Sequence, residues 1–593
     1  MAFPRRPSTV LRYVIAALLL TLTLYILAEP IDFSLIGPLL LSTPLGRLYF
    51  SNEHPIDKLI KAAEIEFATT ISRETQTLPD AAAAYRKRRG RHPPPGFDEW
   101  HKFAKERHAI IVEDFWDQIY HDLEPFWALK PAQIRRDARE FEMRIEVRDH
   151  KASTGSGWFW TQIWLDMIQS IEHLLPDMDL ALNAMDEPRI VVPWEDIDQY
   201  IHEAANTRKM ADVKKVVSEF GELPPLGQAS LEKGGAREIT WEHEKHYWLI
   251  ARRGCPPDSP AQKAAVVTNF DQTPNIASPF SLEHMQDGYV ANYTLSTTFC
   301  HQPDLQALEG IFVEPISVSA TKSLLPIFGG SKLAVNNDIL LPAPMYWNEE
   351  ERFMGAEGAS IPWSAKDPTA IWRGVATGGT NRPTNWRAFQ RHRFVAMNNA
   401  TQLRLAASSS SSPAAPQPPL NFALPDKRYH HHHLPSPSTP ALADWISTTT
   451  SIALTDLITC PTSTATPSAA ATLGFLRSTS LPIKATLWRE WHDARLVAWK
   501  HFVPMDSRFG DWYGVLEYFV GGGGGGGGGG ASGSVGEAGR DGVAEGIAMA
   551  GREWAGRVLR REDMQVYVLR LLLEYARVVD DRREVMGWVG DLR

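Results

Sequence analysis

Ten consecutive glycines at 521–530 constrain this 593-residue chain strongly, because glycine has no side chain to bury and loses more conformational freedom on ordering than any other residue. Two further tracts have the same character. Residues 406–440 are rich in serine and proline and carry His430, His431, His432 and His433, and 461–472 are mostly serine, threonine and alanine. None buries enough apolar surface to offset its ordering entropy, so these tracts, with the glycine-rich insert extended to 521–542, read as inserts and linkers. The glycine run lacks the Gly-Lys-Ser/Thr ending of a phosphate loop. Four adjacent histidines without other ligands do not make a metal site.

The folded body must come from the remaining segments. Short apolar runs at 190–192 and 339–341, bounded by proline or polar residues, read as buried strands with helical periods between them. That alternation predicts an α/β body. Helices are expected at 55–71, at 99–108 with Asp98 as N-cap after the Pro93-Pro94-Pro95 block, at 114–123, and at 545–582. The aromatic residues Phe115, Trp116 and Tyr120, with Ile119, read as a packed face.

Charge and cysteine narrow the function classes. The net charge of −9 is spread over both signs with no long basic stripe, so nucleic acid is not an expected partner. The three cysteines, Cys255, Cys300 and Cys460, permit at most one internal disulfide and no Cys-x-x-Cys knuckle.

At the N-terminus, Arg5, Arg6 and Arg12 accompany an apolar run at 10–28, near the lower limit for a helical membrane span. The exit sequence Ala28-Glu29-Pro30 lacks a small-x-small cleavage site. The expectation is a cytosolic tail (1–9), a transmembrane anchor (10–28), a stem (29–84) and a lumenal body, in the membrane of the Golgi or endoplasmic reticulum. Asn292-Tyr293-Thr294 and Asn399-Ala400-Thr401 are then glycosylation acceptors.

The segment richest in chemistry is 370–382. A short apolar lead enters a glycine-rich turn whose backbone N–H groups can approach an anion, with Arg373 and Arg382 supplying charge suited to a diphosphate. Trp372-Arg373-Gly374 with Thr377-Gly378-Gly379, followed by Asn385-Trp386-Arg387 and Arg391-His392-Arg393-Phe394, resembles the central motif of glycosyltransferase family 90. Further similar motifs lie in order, among them Arg91-His92-Pro93-Pro94-Pro95-Gly96-Phe97, Leu123-Glu124-Pro125-Phe126-Trp127, Asp186-Glu187-Pro188-Arg189 and Asn336-Asn337-Asp338.

The resemblance implies a GT-B-like α/β fold, two Rossmann-like lobes behind the N-terminal transmembrane helix, with an acceptor-side lobe at 85–365 and a donor-side lobe at 366–593. It implies inverting transfer of xylose or glucose from a UDP-sugar to a glycan or glycoprotein hydroxyl, without a metal or other cofactor. Asp186 stands where the family has its catalytic base. Arg373, Gly374, Thr377, Gly378, Gly379, Arg382 and Glu490 are the expected donor-binding residues, Glu490 by accepting hydrogen bonds from the ribose.

The chain departs from the family before Ser478. An arginine-bearing helix start that grips the donor diphosphate is expected there, and 461–472 stands in its place. Loss of a charge-assisted contact costs about 1.5–3 kcal/mol per hydrogen bond. A lumenal binding or scaffold protein that has lost its donor is therefore the alternative expectation.

Overall fold

All five residues of Met178–Leu182 are buried, and this strand is the middle of a five-stranded sheet. The computed structural model describes residues 53–222, 238–349, 361–371, 378–398, 450–455, 470–520 and 537–593. Besides a short hairpin of Met285–Gln286 with Tyr289–Val290, the strands in chain order are β1 (Arg144–Arg148), β2 (Lys151–Ser153), β3 (Met178–Leu182), β4 (Ile327–Gly329), β5 (Lys332–Leu333), β6 (Ile339–Leu340), β7 (Asp367–Ile371), β8 (Thr450–Thr455), β9 (Leu481–Lys484), β10 (Trp488–Arg489) and β11 (Val503–Pro504). The first sheet runs β2-β1-β3-β4-β6, with β1 antiparallel to both neighbours and β3, β4 and β6 parallel. The second runs β11-β9-β8-β7 and is parallel throughout. In addition, β5 and β10 form a two-stranded antiparallel ribbon that pairs Leu333 with Trp488.

The helix Arg561–Val578 is central to the core beside the first sheet. It is buried nearly all round, as a helix inside a core must be, and even Arg570, Glu574 and Arg577 lie inside. Tyr567 Oη donates to Leu340 O at 3.2 Å and Tyr575 Oη to Asp179 O at 3.1 Å, tying the helix to the first sheet. Trp100 Nε1 donates to Val566 O at 3.0 Å. The end of the chain thus completes the core of its beginning.

These observations correct the expected fold. The protein is mixed α/β, with small sheets and many helices, and not two Rossmann-like lobes. Its compact units are Met1–Thr69 and Thr70–Arg593, the second holding both sheets. Among the described residues no helix is long and apolar enough to cross a membrane. The tail at 1–9, the anchor at 10–28 and the stem as far as residue 52 lie outside the described residues, as do 406–440 and most of 461–472.

Local expectations fared unevenly. The helix Pro55–Ile71 has the bounds expected of it. The next expected helix starts earlier, at Phe97, because Gly96 rather than Asp98 occupies the cap, with φ of 77°, a left-handed conformation that glycine adopts without strain. The long C-terminal helix is two, Glu537–Val558 and Arg561–Val578, the first beginning inside the glycine-rich insert. The run at 190–192 makes only an isolated bridge from Ile190 to Thr321, whereas Ile339–Leu340 is a strand. Cys255 and Cys300 form a disulfide, and Cys460 lies outside the described residues.

Candidate active site

The loop that leaves β3 is held by its own residues. Asn183 N donates to Phe328 O at 2.7 Å, continuing the parallel ladder one residue past β3. The Asn183 side chain then closes the turn, its Oδ1 accepting from Met185 N at 3.0 Å and its Nδ2 donating to Glu187 O at 2.8 Å. Glu187 is 1% exposed, and its carboxylate accepts from Ile316 N at 3.1 Å, Ser317 N at 3.2 Å and the Ser317 hydroxyl. Beyond it the buried Asp338 carboxylate accepts from Arg189 N and Ile190 N, each at 2.9 Å. Both flanks of the loop are fixed.

Asp186 sits between these fixed points, half-buried, and no described residue donates a hydrogen bond to its carboxylate. Burial, and behind it the charge of Glu187, push its pKa up to about 8. Desolvation without a counter-charge has this effect on a carboxyl group. A group that ionises near neutrality, aimed at no internal donor, is poised to take a proton from a ligand hydroxyl.

The C-terminal end of β3 also leads to exposed aromatic rings. Met143 O accepts from Leu182 N at 2.8 Å, and Ser156 Oγ lies 3.1 Å from Met143 Sδ. The turn that Ser156 belongs to leads into Trp158 and Phe159, which are 45% and 59% exposed.

Of the expected donor residues, Gly378, Gly379, Arg382 and Glu490 are among the described residues. Gly378 and Gly379 have φ of 108° and 139°, and a Cβ on Gly379 would lie 2.5 Å from Glu314 O. A Cβ on Gly310 would lie 2.1 Å from Gly378 O. These glycines permit close approach of two backbones, the loop and the segment Gly310–Val313. Arg382, on the far side of that loop, holds the Glu314 carboxylate with both Nε, at 2.7 Å, and Nη2. Arg373, Gly374 and Thr377 lie outside the described residues.

Glu490, after β10, is buried and accepts from Tyr346 Oη at 2.9 and 3.2 Å. His492 Nε2 lies 3.3 Å from it. Burial takes the His492 pKa down to about 3, so its ring is neutral at physiological pH. Asp493 Oδ2 accepts from Glu490 N at 2.9 Å, fixing the turn.

Sequence reasoning missed a buried ionic cluster beyond β11. Asp506 Oδ2 lies 2.7 Å from His284 Nε2, whose Nδ1 lies 3.1 Å from His301 Nε2. Arg508 pairs with Asp304 at 2.6 Å and donates to Gln302 Oε1 at 2.8 Å. Glu309 is fully buried, and burial raises its pKa to about 8 against the opposing charge of Arg393. The sequence signal was present only as the short run Asp506-Ser507-Arg508; the partners lie about 200 residues upstream. Among the described residues no group of three or more His, Cys, Asp or Glu is arranged to hold a metal ion. No family model and no curated protein matches the chain.

Proposed function

We propose that the protein is a glycosyltransferase that moves xylose or glucose from a UDP-sugar to a glycan or glycoprotein hydroxyl with inversion. Asp186 carries the proposal, as a carboxylate on a pinned loop with a raised pKa and no internal donor. In the transfer, the Asp186 carboxylate takes the acceptor hydroxyl proton as that oxygen bonds to the anomeric carbon. The bond from the anomeric carbon to the diphosphate breaks at the same time, and UDP leaves with the electron pair.

The collinear motifs around Asp186 and Trp372 support this reading, and the Glu490 carboxylate, which accepts from Tyr346, would accept from a ribose hydroxyl in its place. Trp158 and Phe159 offer apolar ring faces to an acceptor sugar. The Cys255–Cys300 disulfide supports an oxidising compartment such as the lumen of the secretory pathway. Incubation with UDP-xylose or UDP-glucose should release UDP, and release should fall to background in Asp186→Asn. Absence of both UDP binding and UDP release would overturn the reading.

A second reading is a binding protein that keeps its acceptor site without donor chemistry. The pairing of Arg382 with Glu314 favours it, because that guanidinium is already engaged by a carboxylate. Acceptor glycans would then bind while UDP does not.

A further inference from the structure

A recess away from the Asp186 loop in sequence is lined by five arginines, Arg88, Arg89, Arg91, Arg208 and Arg577, and by only two carboxylates, Glu124 and Glu574. Four of the five arginines have an acidic partner. Arg88 and Arg89 share Asp117, Arg89 also reaches Glu113 at 2.8 Å, Arg208 Nε pairs with Glu124 at 2.9 Å, and Arg577 pairs with Glu574. Arg91 differs. Its guanidinium donates to neutral oxygens alone, Thr207 O, Thr207 Oγ1 at 2.7 Å and Ala204 O at 3.4 Å, and stacks 3.6 Å above the Trp127 ring.

Arg91 is only 7% exposed, so water does little to screen its charge. Arg208 follows Thr207 in the chain, which places a second guanidinium beside the first. The Arg208 side chain is 48% exposed and spends only Nε on Glu124. The recess thus holds one buried guanidinium with no carboxylate at ion-pair distance among the described residues and a second at its rim, with Glu124 as the nearby opposing charge. Burial, followed by the nearby Arg577, lowers the Arg91 pKa to about 10, with Glu124 opposing the shift.

We infer that the recess around Arg91 and Arg208 is a binding site for a tetrahedral oxyanion, either free phosphate or the phosphate of a sugar monophosphate. Forked guanidinium donors match the oxygen spacing of such a group. Glu124 opposes it, since the carboxylate competes for Arg208 and repels the incoming charge.

Calorimetric titration of the full chain tests the site, with inorganic phosphate in one arm, a hexose 6-phosphate in another, and chloride at equal ionic strength as reference. Binding of either phosphate is expected, with the tighter arm naming the source. Arg208→Gln should weaken it about tenfold, the loss of one charge-assisted contact. Glu124→Gln should tighten it. Both are partly exposed positions, and thermal unfolding of each variant checks that it is folded. Binding no stronger than chloride in both arms, or affinity unchanged in folded Arg208→Gln and Glu124→Gln, would overturn the inference.

Discussion

Asp186 and Glu187 are adjacent in sequence yet sit in opposite environments: Glu187 accepts three hydrogen bonds from Ile316 and Ser317, and Asp186 accepts none from a described residue. Both lie in the bend closed by the Asn183 side chain, where one carboxylate anchors while its neighbour stays available. The division of labour separates stability from chemistry and can be tested position by position.

The first test is the pH dependence of stability. Asp186 titrates at about 8 when folded, against roughly 3.9 in an unfolded chain. Between those values the folded state binds the extra proton, so the contribution of Asp186 to stability falls as pH rises and is fully lost above pH 8. Asp186→Asn should therefore gain stability relative to the parent protein as pH is raised from 4 to 8. Urea unfolding at several pH values measures this; a difference that stays constant with pH would contradict it.

Glu187→Gln should do the reverse. It weakens charge-assisted bonds to Ile316 N and Ser317 N and is expected to cost about 1–3 kcal/mol. It also removes the charge that helps raise the Asp186 pKa, so any activity profile should shift to lower pH. Denaturant midpoints and the pH profile check the two effects separately.

Replacing Gly379 by alanine should destabilise the protein by roughly 1–3 kcal/mol. Its φ of 139° is strained for any other residue, and the new Cβ would meet Glu314 O at 2.5 Å. Thermal unfolding is the readout, and a neutral effect would show that the loop can move away from Gly310–Val313.

The disulfide should matter more. Cys255 and Cys300 are 45 residues apart in sequence, and a cross-link of that span contributes on the order of 3–4 kcal/mol by restricting the unfolded chain. A Cys255→Ser, Cys300→Ser double variant should unfold at correspondingly lower denaturant.

Legibility in the sequence followed the range of the interactions. The helix Pro55–Ile71 was readable because local periodicity specifies it. The start at Gly96 was not, since a left-handed cap depends on backbone conformation that Asp98 seemed able to supply by side chain. Alternating strands and helices announced an α/β body but not its assembly. That is set by contacts such as Tyr575 with Asp179, which are 396 residues apart.

The site shows the same limit. Asp186 was identified through resemblance, whereas its separation from Glu187 rests on Ser317, 130 residues away. The glycine-rich loop looked suited to an anion because its composition is the same whether its N–H groups face a ligand or its backbone packs on Glu314. The Arg382–Glu314 pair could not be read from either residue's neighbours.

The most direct measurement is kcat/KM for UDP-xylose and UDP-glucose as a function of pH, in the parent protein and in Asp186→Asn. Sugar transfer that rises with unit slope and levels off near pH 8 is expected, with a loss of roughly 10²–10⁴-fold in the variant. Transfer that is independent of pH across that range, or that proceeds at the parent rate in Asp186→Asn, would contradict the assignment of Asp186 as the base.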